Sequence, residues 1–443
     1  MWVKNFASRN GYQNDPNKLT ASQFLFEQMA NITQNNDPTF NIEQFLNAIV
    51  KYAEIHYDLF GKYNGALMRE PTAGVFEKIS GTFEEFLDRN NLKLLVPLLK
   101  RTNAAQGYGY VNEIGALYGL MWNTPKLLIS FGLHTLKIQQ YPYQTYILKN
   151  GFENIWNKIV EKENFDIRYK VDISQVLRSS NNRVTLLYTN QYHQRLSENC
   201  DFLIWTPPMP KLIDVLSNPT MEERQLFNPL SHHVFVSSII KDTGTIRNRP
   251  YVIYHQSLED GKLNITDGEV IAELDVEGEL NYCDKNEDGS LTGNCQRTND
   301  EYNRKRTERI TTCLQLRRNK TDEATSREIV RKHYMDGFGA TRLEFNHTKE
   351  WEYFYKWSPE ELEKGNHWKV FNLQGKHGIW YAGASVSFES VKDVMEYNNL
   401  LIRQSEQSSK FKSSNYNYLI IKVSSFTNAL REFKNIFNTF RSM

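Results

Sequence analysis

The residues best suited to chemistry stand together in Trp380-Tyr381-Ala382-Gly383-Ala384-Ser385-Val386-Ser387-Phe388-Glu389-Ser390-Val391. A short apolar strand that ends in small residues and enters a helix lets backbone amides approach a ligand, and the helix N-terminus favours an anion such as pyrophosphate. The same pattern serves a plain tight turn, with Ser387 or Ser390 as an N-cap. A second candidate, Gln106-Gly107-Tyr108-Gly109-Tyr110, interleaves glycine with aromatics ahead of a helix. Such a segment sets backbone and a ring beside a flat ligand, or simply packs as a loop. A third, Asp284-Lys285-Asn286-Glu287-Asp288-Gly289, opens like a calcium loop, but Cys295 stands where the bidentate Glu belongs, so an acidic turn is expected. His232, His233, His347, His367 and His377 follow no ligand spacing, and no metal site is expected. H-E-x-x-H, paired C-x-x-C, G-x-S-x-G and G-x-x-x-x-G-K-S/T are absent, which weakens zinc-protease, zinc-ribbon, serine-hydrolase and P-loop readings.

The elements that must position these residues follow from periodicity. Residues 19–60 read as two helices divided at Pro38, and a further helix starts at Thr82 and is kinked or ended by Pro97. Residues 112–133 form another buried helix or helix pair broken at Pro125. After Gly151 the texture changes to a helix over 152–160 and strands over 167–171, 182–190 and 201–205, the last stopped by Pro207 and Pro208. Strands are expected again at 233–240 and 251–256, followed by a polar surface excursion over 275–320. Tyr353, Phe354, Trp357 and Trp368 cover an apolar surface, and a strand over 379–382 passes through Gly383 into a helix over 391–403.

Composition sets the outer limits. The 443 residues carry 53 Lys+Arg against 52 Asp+Glu, a net charge of +1, so the excess of cations that a phosphate-binding surface needs is missing and no nucleic-acid partner is expected. At 40% hydrophobic and 24% charged, the chain is an ordinary folding sequence of two or three domains. No window approaches a membrane span and no signal peptide is visible, so a soluble protein of unspecified compartment is expected. Four cysteines cannot staple this length; Cys283 and Cys295 bracket a polar loop and either pair or stay free thiols.

The Gly383 segment resembles the carboxyl-terminal cofactor motif of the flavin-containing amine oxidoreductase superfamily, in its divergent branch. Residues 152–160 and 167–171 are similar to the helix and strand that lead to that family's adenine-side contact, which places Val171 and Ile173 there. Residues 201–208 resemble its strand that ends near the cofactor at Pro207, and Gly107 to Tyr110 resembles substrate-domain sequence. The likeness covers roughly residues 40–402 and is weak outside 379–398. It implies an α/β fold, α+β overall, in which a partial FAD-binding Rossmann-like domain joins a mixed helical and strand substrate domain. The parts would be a mainly helical substrate region at 1–150, cofactor-domain parts at 151–215 and 371–403, substrate domain at 216–370 and a helical end at 404–443. The resemblance implies FAD held by Val171, Ile173, Pro207, Gly383, Ala384, Ser385, Phe388 and Val391. Tyr108, Tyr110 and Tyr381 fall on the substrate side, with Trp380 a further aromatic near the cofactor. It implies oxidation or isomerisation of a small amine or an apolar, unsaturated compound. One departure counts against it: residues 1–60 lack the strand, G-x-G-x-x-G turn and helix that grip a dinucleotide. Either the amino terminus is truncated or that half has been lost. In the second case a cofactor-free descendant, acting as a protein partner or homo-oligomer, is the alternative.

Overall fold

The computed structural model describes residues 2–4, 21–61, 67–68, 70, 76–135, 151–163, 165–244, 252–259, 262–264, 267–275, 281–285, 291–297 and 308–407. In the front half, helices α1 (Ala21–Thr33) and α2 (Pro38–Phe60) part where Pro38 predicts. Asp37 caps α2 by accepting from the Thr39 N–H at 2.9 Å, and Pro38 sits in the first turn, where its missing N–H costs nothing. A capping box of Thr82 and Glu85 starts α3 (Phe83–Arg89). The single helix expected from Thr82 is in fact two, because α4 (Val96–Ala105) begins afresh after a 3₁₀ turn with Pro97 in its own first turn. Helices α5 (Ala116–Trp122) and α6 (Pro125–Thr135) complete this layer, and Phe45, Ile49, Phe83, Phe86 and Leu120 fill its core.

Helix α7 (Gly151–Glu163) leads to a three-stranded antiparallel sheet of β2 (Asp172–Arg178), β3 (Val184–Thr189) and β4 (Arg195–Cys200). The strand expected at 167–171 is not formed: residues 165–170 are exposed and without strand pairing, and a strand with no neighbour is not stable. Next come β5 (Leu203–Trp205), α8 (Met209–Val215) and α9 (Met221–Phe227).

A seven-stranded antiparallel sheet forms the other large body. It runs in the order β1 (Trp2–Lys4), β7 (Val252–Glu259), β9 (Val270–Asp275), β12 (Glu308–Arg317), β6 (Ser231–Thr243), β13 (Arg342–Lys356), with β8 (Lys262–Asn264) on β7. The first described residues thus join this sheet by pairing Trp2 with Ser257, rather than opening a parallel one. The expected polar surface excursion is corrected at β12, a central strand whose Thr311, Cys313, Gln315 and Leu316 are buried. Its polar residues mislead because Arg309, Thr311 and Gln315 are buried on the same face of the sheet as Cys313. Hairpin β10 (Asn281–Lys285) and β11 (Leu291–Arg297) sets Cys283 opposite Cys295 in backbone register. The rest of the acidic turn, residues 286–290, lies outside the described residues. Helix α10 (Glu323–Phe338) covers one sheet face through Val330 and Tyr334 against Ile240 and Cys313. Short helices α11 (Pro359–Glu363) and α12 (Asn366–Asn372) bring the chain to β14 (Ile379–Tyr381) and α13 (Val391–Gln407). The final segment beyond 407 lies outside the described residues.

Candidate functional site

Two constellations meet between the sheet and the helical layer. The first is the turn after β14, which pairs in parallel with β5 so that Tyr381 lies beside Trp205 and both strands end at one place. The Ala382 N–H donates to the Trp205 carbonyl at 3.0 Å and extends the ladder by one step. Gly383 then turns with φ +86°, and a Cβ there would lie 2.7 Å from the Thr206 carbonyl oxygen, so no other residue fits without movement. The N–H groups of Val386 and Ser387 fold back onto the Gly383 carbonyl at 3.3 and 3.2 Å. Ser390 caps α13, accepting from the Asp393 N–H at 3.1 Å. Within this turn Ser385 is 8% exposed and its hydroxyl meets no partner, an unsatisfied group that calls for a ligand or water. The ends of parallel strands beside a helix N-terminus are where α/β sheets take nucleotide-like groups.

The second constellation is aromatic and acidic. Gly107 and Gly109 adopt φ +79° and +95°; a Cβ on the first would strike Tyr353 at 2.8 Å and on the second His233 Nε2 at 2.6 Å. This clearance lets Tyr108 insert among Trp122 and Phe388, each with ring centroids 4.8 Å away, and Phe354 at 5.6 Å. The Tyr108 hydroxyl donates to Tyr353, whose own proton is thereby left for another acceptor. Burial pushes the Tyr353 phenol up to about 12, helped by the nearby Glu389 carboxylate. Glu389 is itself pushed up to about 7 by burial, against the opposing pull of the Phe354 N–H, which donates to Oε1 at 3.0 Å. A carboxyl poised near neutrality beside two phenols suits proton transfer.

A β-bulge completes the site. Tyr353 pairs with His233 and Lys356 with Ser231, so three steps on β13 oppose two on β6. Phe354 absorbs the extra residue at φ +55°, a strained conformation for a bulky side chain. Lys356 is buried, with Nζ 5.6 Å from the Phe354 ring centroid, and desolvation lowers its pKa to about 8. His233 is 4% exposed; burial, then the charges of Lys356 and Arg318, lower its pKa to about 3 against the opposing pull of a backbone hydrogen bond with Arg317, so the imidazole is neutral.

The sequence-derived candidates fall as follows. Gly383, Ala384, Ser385 and Phe388 line the turn or its approach, and Val391, 55% exposed, is the first residue of α13. Pro207 is exposed at the end of β5. Val171, just before β2, and Ile173 within it lie at the opposite end from Arg178, which is about 16 Å from Ile173 along the strand at roughly 3.3 Å per residue, and it is Arg178 that reaches the Tyr381 network. Tyr381 is buried, and its hydroxyl donates to Glu223 Oε1 at 2.5 Å, while Glu223 also pairs with Arg178. Tyr110 is buried and donates to the Leu316 carbonyl at 3.2 Å. Trp380 is half-buried against Gly375. Sequence reasoning passed over Glu389, Lys356, Tyr353 as a proton donor, and His233. The available signal was a single Lys in the aromatic run Trp351 to Trp357 and a single Glu beside Phe388. Among the described residues no group of three or more His, Cys, Asp or Glu could hold a metal, and no helix is long and apolar enough to cross a membrane.

The sequence matches no protein-family model and no curated protein. Solved structures do match its fold. A CLA-producing fatty acid isomerase from P. acnes superposes with a TM-score of 0.59 at 20% identity, over 82% of this chain and 74% of that one. A putrescine oxidase studied in a redesign of its cofactor binding superposes with a TM-score of 0.50 at 10% identity, over 83% of this chain and 75% of that one.

Proposed function

From the fold of the flavin-containing amine oxidoreductase superfamily, which this chain shares, we propose that it is an FAD-dependent oxidoreductase-like enzyme acting on a small organic substrate. The observation that carries this reading is Glu389, a half-buried carboxyl pushed up to about 7 by desolvation. It follows the Gly383 turn by six residues and faces Tyr108 and Tyr353. The turn fits a flavin at one end. Gly383 keeps the backbone bare, and the unpartnered Ser385 hydroxyl is placed to donate to or accept from a polar edge. Thr206, Pro207, Gly383, Ala384 and Ser385 would hold it, with Phe388 and Val391 flanking and Val171 and Ile173 as the more distant contacts. When bound, a flavin supplies a two-electron acceptor for the substrate.

The protein's own residues do the remaining work. Tyr108, Trp122, Phe354 and Phe388 form an apolar wall that excludes water from the reacting carbon. Glu389 takes or returns a proton, and Tyr353, freed by accepting from Tyr108, donates one to a developing negative charge. The test is Glu389→Gln, which keeps the shape and removes the base. In FAD-loaded protein mixed anaerobically with amines and unsaturated acids, the variant should slow the single reduction of the flavin, or isomerisation of the acid, roughly 10²–10⁴-fold while FAD affinity stays unchanged. Equal turnover by the variant would remove Glu389 from the chemistry.

A further inference from the structure

We propose that Cys283 and Cys295 form a redox-active pair that closes into a disulfide across hairpin β10–β11 by exchange with a small disulfide such as oxidised glutathione. The two residues stand directly opposite each other in the antiparallel ladder, next to the pair Tyr282 and Gln296 and ahead of a bulge that leads to Lys285 and Leu291. Directly opposite residues of an antiparallel pair have Cα atoms about 4.5 or 5.5 Å apart, according to whether they exchange hydrogen bonds. Both separations lie inside the roughly 4.4–6.8 Å that a disulfide spans, so the bond forms without displacing either strand. The other two cysteines face different residues. Cys200 in β4 stands opposite Val184, Cys313 in β12 stands opposite Ser238 and Glu273, and both are free thiols.

The surroundings of the pair suit thiol exchange. Cross-strand partners share a face, as do alternate residues along a strand. Asn281 and Arg297 therefore belong to the face of Cys283 and Cys295, and Tyr282 and Gln296 to the other. A guanidinium two residues along from Cys295 favours its thiolate, the nucleophilic form. The Cys295 thiolate attacks one sulfur of oxidised glutathione, forming a mixed disulfide and expelling a glutathione thiolate. The Cys283 thiolate then attacks the Cys295 sulfur, forms the cross-strand bond and expels the second glutathione. The pair gives up two electrons, oxidised glutathione gains them, and the two cysteine protons pass to the two glutathione thiolates. The hairpin lies in the connection between β9 and β12, neighbouring central strands that pair through Asp275 and Thr311. The disulfide thus clips that connection, and its state follows the redox poise of the surroundings. None of these steps involves FAD or the Gly383 turn.

The test takes the full chain, reduced and then incubated with oxidised glutathione, blocks remaining thiols with iodoacetamide under denaturing conditions, and maps tryptic peptides without reductant. Lys285 is the one tryptic site between the two cysteines. The expected product is therefore peptide 263–285 joined to 286–297, two hydrogens lighter than their sum, from a chain that runs as a monomer on a non-reducing gel. Cys200 and Cys313 should stay outside the linkage. In Cys283→Ser, glutathione should remain on Cys295 because the resolving thiol is gone, and circular dichroism checks that this variant is folded. A wild-type chain in which Cys283 and Cys295 both carry glutathione or the blocking group would overturn the pair, as would their linkage to Cys200, to Cys313 or to a second copy.

Discussion

At the scale of single residues, the sharpest energetic statement concerns Glu223. Its carboxylate accepts from Arg178, from the Tyr381 hydroxyl and from the Thr220 N–H while closing the capping box of α9, and it is almost wholly buried. Burial raises its pKa, but the hydrogen bonds from Arg178, Tyr381 and Thr220 outweigh that and hold the carboxyl below its usual range. Replacing it by Gln leaves the Arg178 guanidinium buried without a counter-charge. Glu223→Gln should therefore lower unfolding free energy by about 3–5 kcal/mol, measurable by urea denaturation. Glu389 runs the opposite way. Its folded pKa of about 7 lies above the unfolded value of 4.5, so its carboxyl costs stability as pH rises through 7. Between pH 4.5 and 7, the melting temperature of Glu389→Gln relative to the wild type should therefore rise with pH, and the difference should level off above pH 8. These roles were hidden from the sequence because they depend on which charges share an enclosure, and spacing along the chain does not encode that.

Elements were more legible, and for physical reasons. The Pro38 break, the strand entering Gly383 and the helix over 391–403 rest on local rules of φ, capping and periodicity. The strand expected at 167–171 failed because a β-strand exists only through a partner, and β12 was read as surface because a central strand rich in polar residues looks like a loop. The bulge at Phe354 carries no glycine or proline to announce it. Two glycines test how tightly the loops are built. At Gly109 an alanine would combine φ +95° with a 2.6 Å approach to His233, and at Gly383 φ +86° with a 2.7 Å approach to the Thr206 carbonyl. Each substitution should cost roughly 1–3 kcal/mol. Gly339→Ala, also at positive φ but with nothing within 4 Å, should cost less and serves as the control.

Over the whole molecule, the fold class was legible through one segment, because the Gly383 motif is local while the seven-stranded sheet joins strands from residue 2 to residue 356. The same long-range construction buries several histidines as neutral rings. His56, bonded to the Leu120 carbonyl at 3.0 Å, and His367 are both lowered to about 4 by desolvation. Their folded values lie below the unfolded 6.5, so the unfolded chain binds more protons in between. The stability they contribute is present above pH 6.5 and lost as pH falls toward 4. Thermal scans should accordingly show the melting temperature falling between pH 6.5 and 4.5, with a shallower fall in His367→Gln if that variant folds. The central claim is that the Gly383 turn is a flavin site, and visible absorbance of the full chain titrated with FAD tests it most directly. Saturable, shifted flavin bands that disappear in folded Gly383→Val are the predicted result. A folded wild-type chain that leaves the free-FAD spectrum unchanged, or a Gly383→Val variant that binds as well as the wild type, would contradict it.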